Sequence, residues 1–241
     1  MSGVRLPANH GNATMGVVPR IGGEADGRRG TRMDDTREAM DNVARKDAGL
    51  PYHYDDPAIM DGQLAWQDKL WEYNQTRPIE QDRRTELLKG MCAEIGEGVH
   101  IETPLHANNG CRRVHLGRGI YINAFMSMVD DAEIWIGDYA MFGPSVTIAT
   151  AGHPILPILR EHHYTYALPV HIGRNVWVGS NVSILPGVTI GENSVIGAGS
   201  VVTRDIPANV VAVGVPCKVV RPIGEHDREY YWHGRRLDVT E

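Results

Sequence analysis

The stretch ATAGHPILP, residues 149–157, sets a histidine between a glycine and a proline where an otherwise regular pattern stops. An imidazole titrates near neutral pH, so His153 could take a proton from an attacking hydroxyl and return one to the leaving group. Gly152 permits a tight backbone approach, and Pro154 stiffens the exit. The interval from Ile148 to Ile172 is 24 residues long and holds at most one recognisable repeat, so it should leave the main body as a long loop. Long loops in compact domains tend to carry function. The competing reading is an inert surface histidine, one of the eleven in the chain.

The pattern that the loop interrupts has a period of six: Ile172, Val178, Ile184, Ile190, Ile196 and Val202. The segment IGRNVW VGSNVS ILPGVT IGENSV IGAGSV shows the unit, a large aliphatic, usually a glycine, two turn-tolerant residues, a small or branched residue and a variable one. This period fits neither a helix nor simple strand alternation, and it is one of the β-helix repeats. Short strands would alternate with tight corners where Gly and Asn tolerate unusual backbone angles, and the aliphatics would stack inside. Upstream, the same spacing links Leu116, Ile122 and Met128, and again Ile136, Phe142 and Ile148, with Ile95 and Ile101 as a degenerate first repeat. Between Met128 and Ile136 the step is eight, which predicts an outward surface bulge near Asp130 and Asp131. Ordinary sandwich strands would instead show turn signals every ~8–12 residues.

Outside the repeat, Met1–Arg32 is rich in Gly and poor in large apolar residues, which predicts a disordered tail, with Met15 and Met33 as other possible translation starts. Residues 33–91 read as a helical cap: Leu64, Leu70 and Trp71 recur at near-helical spacing, Pro78 suits a first turn, and Leu87, Leu88 and Met91 form a second stripe. Residues 92–225 form the repeat domain, with its excursion at about 149–171, and 226–241 form a C-terminal tail. A net charge of −6 without a long basic block argues against nucleic-acid partners. Apolar runs too short for a bilayer, with no signal-peptide core, point to a cytoplasmic protein. Cys92, Cys111 and Cys217 read as three unpaired thiols.

The motifs YINAFMSMVDD, ATAGHP, HIGRNVWVGSNV, SVIGAGSVVTRDIP and GVPCKVVR, following helical WEYNQTRP, resemble in order and spacing the hexapeptide-repeat acyltransferases of the galactoside and maltose O-acetyltransferase group. The resemblance covers about residues 33–225. It implies a mainly β fold, a left-handed parallel β-helix, and transfer of acetyl from acetyl-CoA to a sugar hydroxyl on maltose, a galactoside or a glucose-like acceptor. No metal is expected. It also implies a homotrimer with active sites between subunits, a closed assembly that would cover exposed sheet faces.

Residue by residue, the resemblance gives His153 the role of general base and Asn123 that of a donor to the developing oxyanion. Asn at a corner could equally serve the backbone. Tyr121 and Asp131 match acceptor contacts, and Asn108 matches another across a one-residue gap. The family's N-terminal acceptor aspartate is not reproduced in YHYDDP, where the aligned place falls near Tyr54. Ser180, Ala198, Thr203, Arg204, Lys218 and Arg221 match coenzyme A contacts: small side chains would admit the pantetheine arm, and cations would meet its phosphates. Any one of these cations could instead be a solvated surface charge. Trp177 would flank the arm or pack against a neighbouring subunit. His162 and His163 remain solvated or acceptor-rim residues. Two rival functions are an antibiotic O-acetyltransferase and a γ-type carbonic anhydrase using some of His100, His106, His115, His153 and His171 for zinc.

Overall fold

The computed structural model describes residues 40–239, so the expected Met1–Arg32 tail and the Met33 start lie outside the described residues. From Glu94 onward the chain winds as a parallel β-helix of three faces. The first face stacks Glu94–Ile95, Val114–Leu116, Ile134–Ile136, Val170–Ile172 and Thr189–Ile190. The second stacks His100–Ile101, Tyr121–Ile122, Met141–Phe142, Trp177–Val178, Val195–Ile196 and Val210–Val213. The third stacks Leu105–Ala107, Met126–Val129, Thr147–Ala149, Ser183–Ile184 and Val201–Val202. The final strand, Lys218–Pro222, turns back antiparallel against Val210–Val213.

The period of six becomes three inward columns. Ile172 pairs with both Ile136 and Ile190, Val178 with Phe142 and Ile196, and Ile184 with Ile148 and Val202. All nine are buried. Each such side chain contributes about 1.5–3 kcal/mol relative to leaving it exposed. Corners need left-handed backbone, and Asn175, Asn193 and Asn209 supply it with φ of 56°, 60° and 60°. Their amides also form a ladder, Asn175 Nδ2 donating to Asn193 Oδ1 at 3.3 Å and Asn193 Nδ2 to Asn209 Oδ1 at 2.8 Å.

The helices cap the open end of the first coils. In α1 (Gln63–Asn74) the buried face is Leu70 and Tyr73, while Leu64 is 80% and Trp71 63% exposed, which corrects the expected stripe. The reason is that the exposed end of a β-helix needs hydrogen bonds as well as apolar cover. Asn74 receives the Leu105 N–H at 2.8 Å and donates to the Leu105 carbonyl at 2.7 Å, and the Tyr73 hydroxyl donates to the Ile101 carbonyl at 2.6 Å. Then α2 (Gln81–Met91) buries Arg84, Leu88 and Met91. It begins three residues after Pro78, which sits in the preceding turn rather than in the helix. Arg84 bonds Thr76 and Thr103 and pairs with Glu102 at 3.5 Å. Beyond residue 225 the C-terminal tail forms a short helix, His226–Glu229, and a hairpin of Tyr230–Trp232 with Arg235–Arg236.

The excursion spans 150–169, because Thr147–Ala149 and Val170–Ile172 both remain in the coil. It has structure of its own. Ala151–Gly152 pairs antiparallel with Tyr166 and Ala167, and Tyr164–Thr165 pairs with Tyr52–His53 from the N-terminal segment. A one-turn helix, Pro157–Glu161, forms the tip.

Candidate active site

His153 is exposed and sits directly after the strand Ala151–Gly152. Gly152 leaves room for Tyr166: a Cβ would lie 2.6 Å from the Tyr166 hydroxyl oxygen, so that side chain would have to shift. Thr165 Oγ1 donates to the Gly152 carbonyl at 2.8 Å, and Arg160 Nη1 to the Pro154 carbonyl at 2.8 Å, so the turn around the histidine is held on both sides. His153 Nδ1 lies 3.1 Å from the Tyr164 carbonyl oxygen. A carbonyl only accepts, so Nδ1 is the donor, and in the neutral ring the lone pair is then on Nε2.

His153 shares a cavity with Tyr54, Asp55, Ile59, Met60, Gln63, Asn108, Asn109 and Asp131. Two of the predicted acceptor residues therefore join it. Asn108 Nδ2 donates to Asp131 Oδ2 at 3.3 Å, and the Asn108 carbonyl accepts from Gln63 and Gln67 at 3.1 and 2.9 Å. Behind this pair lies an inner one. Asp130 is fully buried, its Oδ1 accepts the Asn109 N–H at 2.7 Å, and its own carbonyl accepts from Asn109 Nδ2 at 3.2 Å. The predicted outward bulge is thus corrected: the two extra residues turn Asp130 inward to tie successive coils together. Asp130 Oδ2 has no hydrogen-bond partner among the described residues, and burial pushes its carboxyl up to about 6. Lys46, 7% exposed, donates to the Asp131 carbonyl at 3.1 Å; burial, with Arg113 nearby, pushes its amine down to about 8.

Asn123 and Tyr121 do not join this cavity. Asn123 lies at the corner between the second and third faces, whereas His153 leaves the corner between the third and the first. The Asn123 side-chain oxygen accepts the Ala124 N–H at 2.8 Å, and its Nδ2 has no hydrogen bond within the described residues. Tyr121 stacks on His100 with centroids 5.6 Å apart. Tyr121, Met141 and Trp177 form an exposed column in register on the second face, Trp177 being 52% exposed.

Among the predicted donor-side residues, Ser180 and Ala198 stack in adjacent coils at the Asn123 corner line, where the Ser180 carbonyl accepts the Gly199 N–H at 2.8 Å. A Cβ on Gly199 would meet nothing within 4 Å, so this edge is bare. Thr203 and Arg204 are exposed beyond the third face, and Lys218 is exposed on the returning strand. Arg221 holds Asp227 in a bidentate pair, both bonds 2.7 Å, which keeps that carboxyl down to about 2. His100, His106 and His115 lie on three different faces. No cluster of three or more metal-ligating side chains occurs among the described residues.

The sequence reading missed Asp55, Ile59, Met60 and Gln63 as cavity walls. No motif marks them, because their place comes from how the N-terminal segment packs on the coil. The Tyr54 position near the expected acceptor aspartate was the available signal.

Residues 169–204 match the family model described as bacterial transferase hexapeptide (six repeats), and residues 47–96 match the maltose acetyltransferase hexapeptide capping motif. The chain is 46% identical over 195 residues to a galactoside O-acetyltransferase of Lactococcus lactis, covering 78% of this chain and 94% of that protein. A galactoside O-acetyltransferase of Escherichia coli is 46% identical over 171 residues, covering 71% and 84%. Among solved structures, a galactoside acetyltransferase in complex with coenzyme A matches with TM-score 0.80 and 41% identity, over 83% of this chain and 100% of that one. A maltose O-acetyltransferase from Clostridium difficile matches with TM-score 0.75 and 38% identity, over 78% and 100%.

Proposed function

Because the chain belongs to the hexapeptide-repeat acetyltransferases of the galactoside and maltose group, and so draws its acetyl from acetyl-CoA, we propose that its acceptor is a sugar hydroxyl and its base His153. The acceptor hydroxyl gives its proton to Nε2 as its oxygen attacks the thioester carbonyl. The tetrahedral intermediate collapses, expelling the coenzyme A thiolate, which recovers that proton from the imidazolium. Asn108 and Asp131 orient the acceptor from the opposite wall. The observation that supports this reading is the Nδ1–Tyr164 hydrogen bond, which in the neutral ring puts the lone pair on Nε2, beside a cavity with a polar wall.

The donor lies along the bare Ser180–Ala198 edge, with Thr203, Arg204 and Lys218 toward its phosphates and Arg221 oriented by Asp227. Asn123 supplies the oxyanion donor from a neighbouring copy, because within one chain it occupies a different prism edge from His153. A homotrimer would meet that need and cover the Tyr121–Met141–Trp177 column, with Trp177 against the neighbour or the pantetheine arm. The free thiols Cys92, Cys111 and Cys217 support a reducing, cytoplasmic setting.

A panel of galactosides, maltose, glucose and small alcohols, followed by release of free thiol, tests the reading. His153→Ala should lower kcat/KM on the best acceptor by about 10²–10⁴-fold. Turnover equal to the parent would refute His153 as base.

A further inference from the structure

A single hydrogen bond fixes the tautomer of His153, but an exposed ring held at one nitrogen can still swivel about that bond. The second restraint comes from the N-terminal segment. The Tyr54 ring meets the His153 ring nearly at right angles, 84°, with centroids 6.0 Å apart. Tyr54 is in turn stacked on His163, centroids 5.3 Å apart at 28°. His163 Nδ1 donates to Asp55 Oδ2 at 2.6 Å, and that bond holds the Asp55 carboxyl below its usual range. The backbone closes the same unit, the Tyr54 N–H donating to the His163 carbonyl at 3.2 Å. On the other side of the strand, His53 packs on Tyr164, whose carbonyl receives His153 Nδ1, with centroids 4.0 Å apart.

We propose that Tyr54 is a positioning residue for His153, braced by the Asp55–His163 pair, and that it holds the imidazole plane at the angle acetyl transfer requires. Three consecutive residues thereby bind the catalytic loop to the cap: His53 steadies the carbonyl that selects the tautomer, Tyr54 the ring, and Asp55 the ring behind Tyr54. Aromatic rings favour this edge-to-face geometry, and a small error in the attack angle is costly in rate. The unit also gives His163 a role that its sequence context did not disclose. The inference rests on the reading of His153 as base.

The test compares Tyr54→Leu, Tyr54→Phe, Asp55→Asn and His153→Ala in the full chain. Tyr54→Leu should lower kcat by about tenfold while the KM for acetyl-CoA stays within about twofold, and Tyr54→Phe should restore most of the rate because the contact is made by the ring. Asp55→Asn should cost about threefold alone and add little to Tyr54→Leu, since both act through one ring. In histidine-labelled protein without substrate, the His153 Cε1–H resonance should broaden in Tyr54→Leu and stay sharp in Tyr54→Phe. Parental kcat and an unbroadened resonance in Tyr54→Leu, with His153→Ala inactive, would overturn this inference alone. A fully active His153→Ala would instead overturn the reading beneath it.

Discussion

At the scale of single residues, an exposed histidine lines the cavity and a buried carboxyl lies behind its wall, and the two are legible to different degrees. His153 is announced by its motif, whereas Asp130 looks in the sequence like the inside of a surface bulge. Its burial has a consequence for stability. The folded carboxyl titrates at about 6, above the unfolded value near 3.9, so the folded state binds this proton more tightly. The contribution of Asp130 is fully present below the unfolded pKa and is lost as pH rises through about 6. Relative to Asp130→Asn, the parent should therefore lose stability between pH 4 and pH 7, by about 2–3 kcal/mol as an order of magnitude. Urea denaturation of both proteins across that range measures the difference. A difference that stays constant with pH would show that the Asp130 carboxyl is not desolvated as its burial implies.

At the scale of elements, each coil depends on corners that most L-residues resist. The Asn175–Asn193–Asn209 ladder answers this twice, by tolerating positive φ and by linking amide to amide between coils. Asn193→Ala should cost about 1–2 kcal/mol from left-handed strain alone, with the ladder bonds lost in addition. Asn193→Gly should recover the strain component and leave only the lost bonds, so the alanine variant should melt first. Equal melting temperatures for the two variants would rule strain out. The excursion obeys a different logic: its rigidity comes from pairing with Tyr52–His53 and from the close approach at Gly152. A repeat-based reading sees only a gap there, because antiparallel pairing with a distant segment leaves no period in the chain.

At the scale of the whole molecule, the residues expected to act together are divided between prism edges. His153, Asn108 and Asp131 share one cavity, while Asn123, Ser180 and Ala198 follow another edge. A site completed across subunits makes a specific prediction. His153→Ala and Asn123→Ala proteins should each be nearly inactive alone. When unfolded together and refolded in equal amounts, they should regain activity, since random assembly leaves about a quarter of the sites with both groups intact. Recovery no greater than the sum of the two separate variants would place both groups in one chain's own site. Light scattering on the parent reads the assembly directly.

Much of the architecture was legible from spacing, because a β-helix writes its core into the chain at a fixed interval. Ile172, Val178 and Ile184 must recur every six residues if each coil is to stack an aliphatic on its neighbour, and no partner distant in sequence is needed to see it. The motifs single out His153 and Asp131, and the resemblance adds Asn108 across a one-residue gap; the three line one cavity. The inward turn of Asp130, the exposure of Leu64 and Trp71, and the contact of Tyr54 and Asp55 with His163 and His153 could not be read from motif or spacing. Asp55 and His163 stand 108 positions apart. Their 2.6 Å contact exists because the cap and the excursion pack on the same edge of the prism, and packing between segments so far apart is settled by three-dimensional complementarity that no local period encodes.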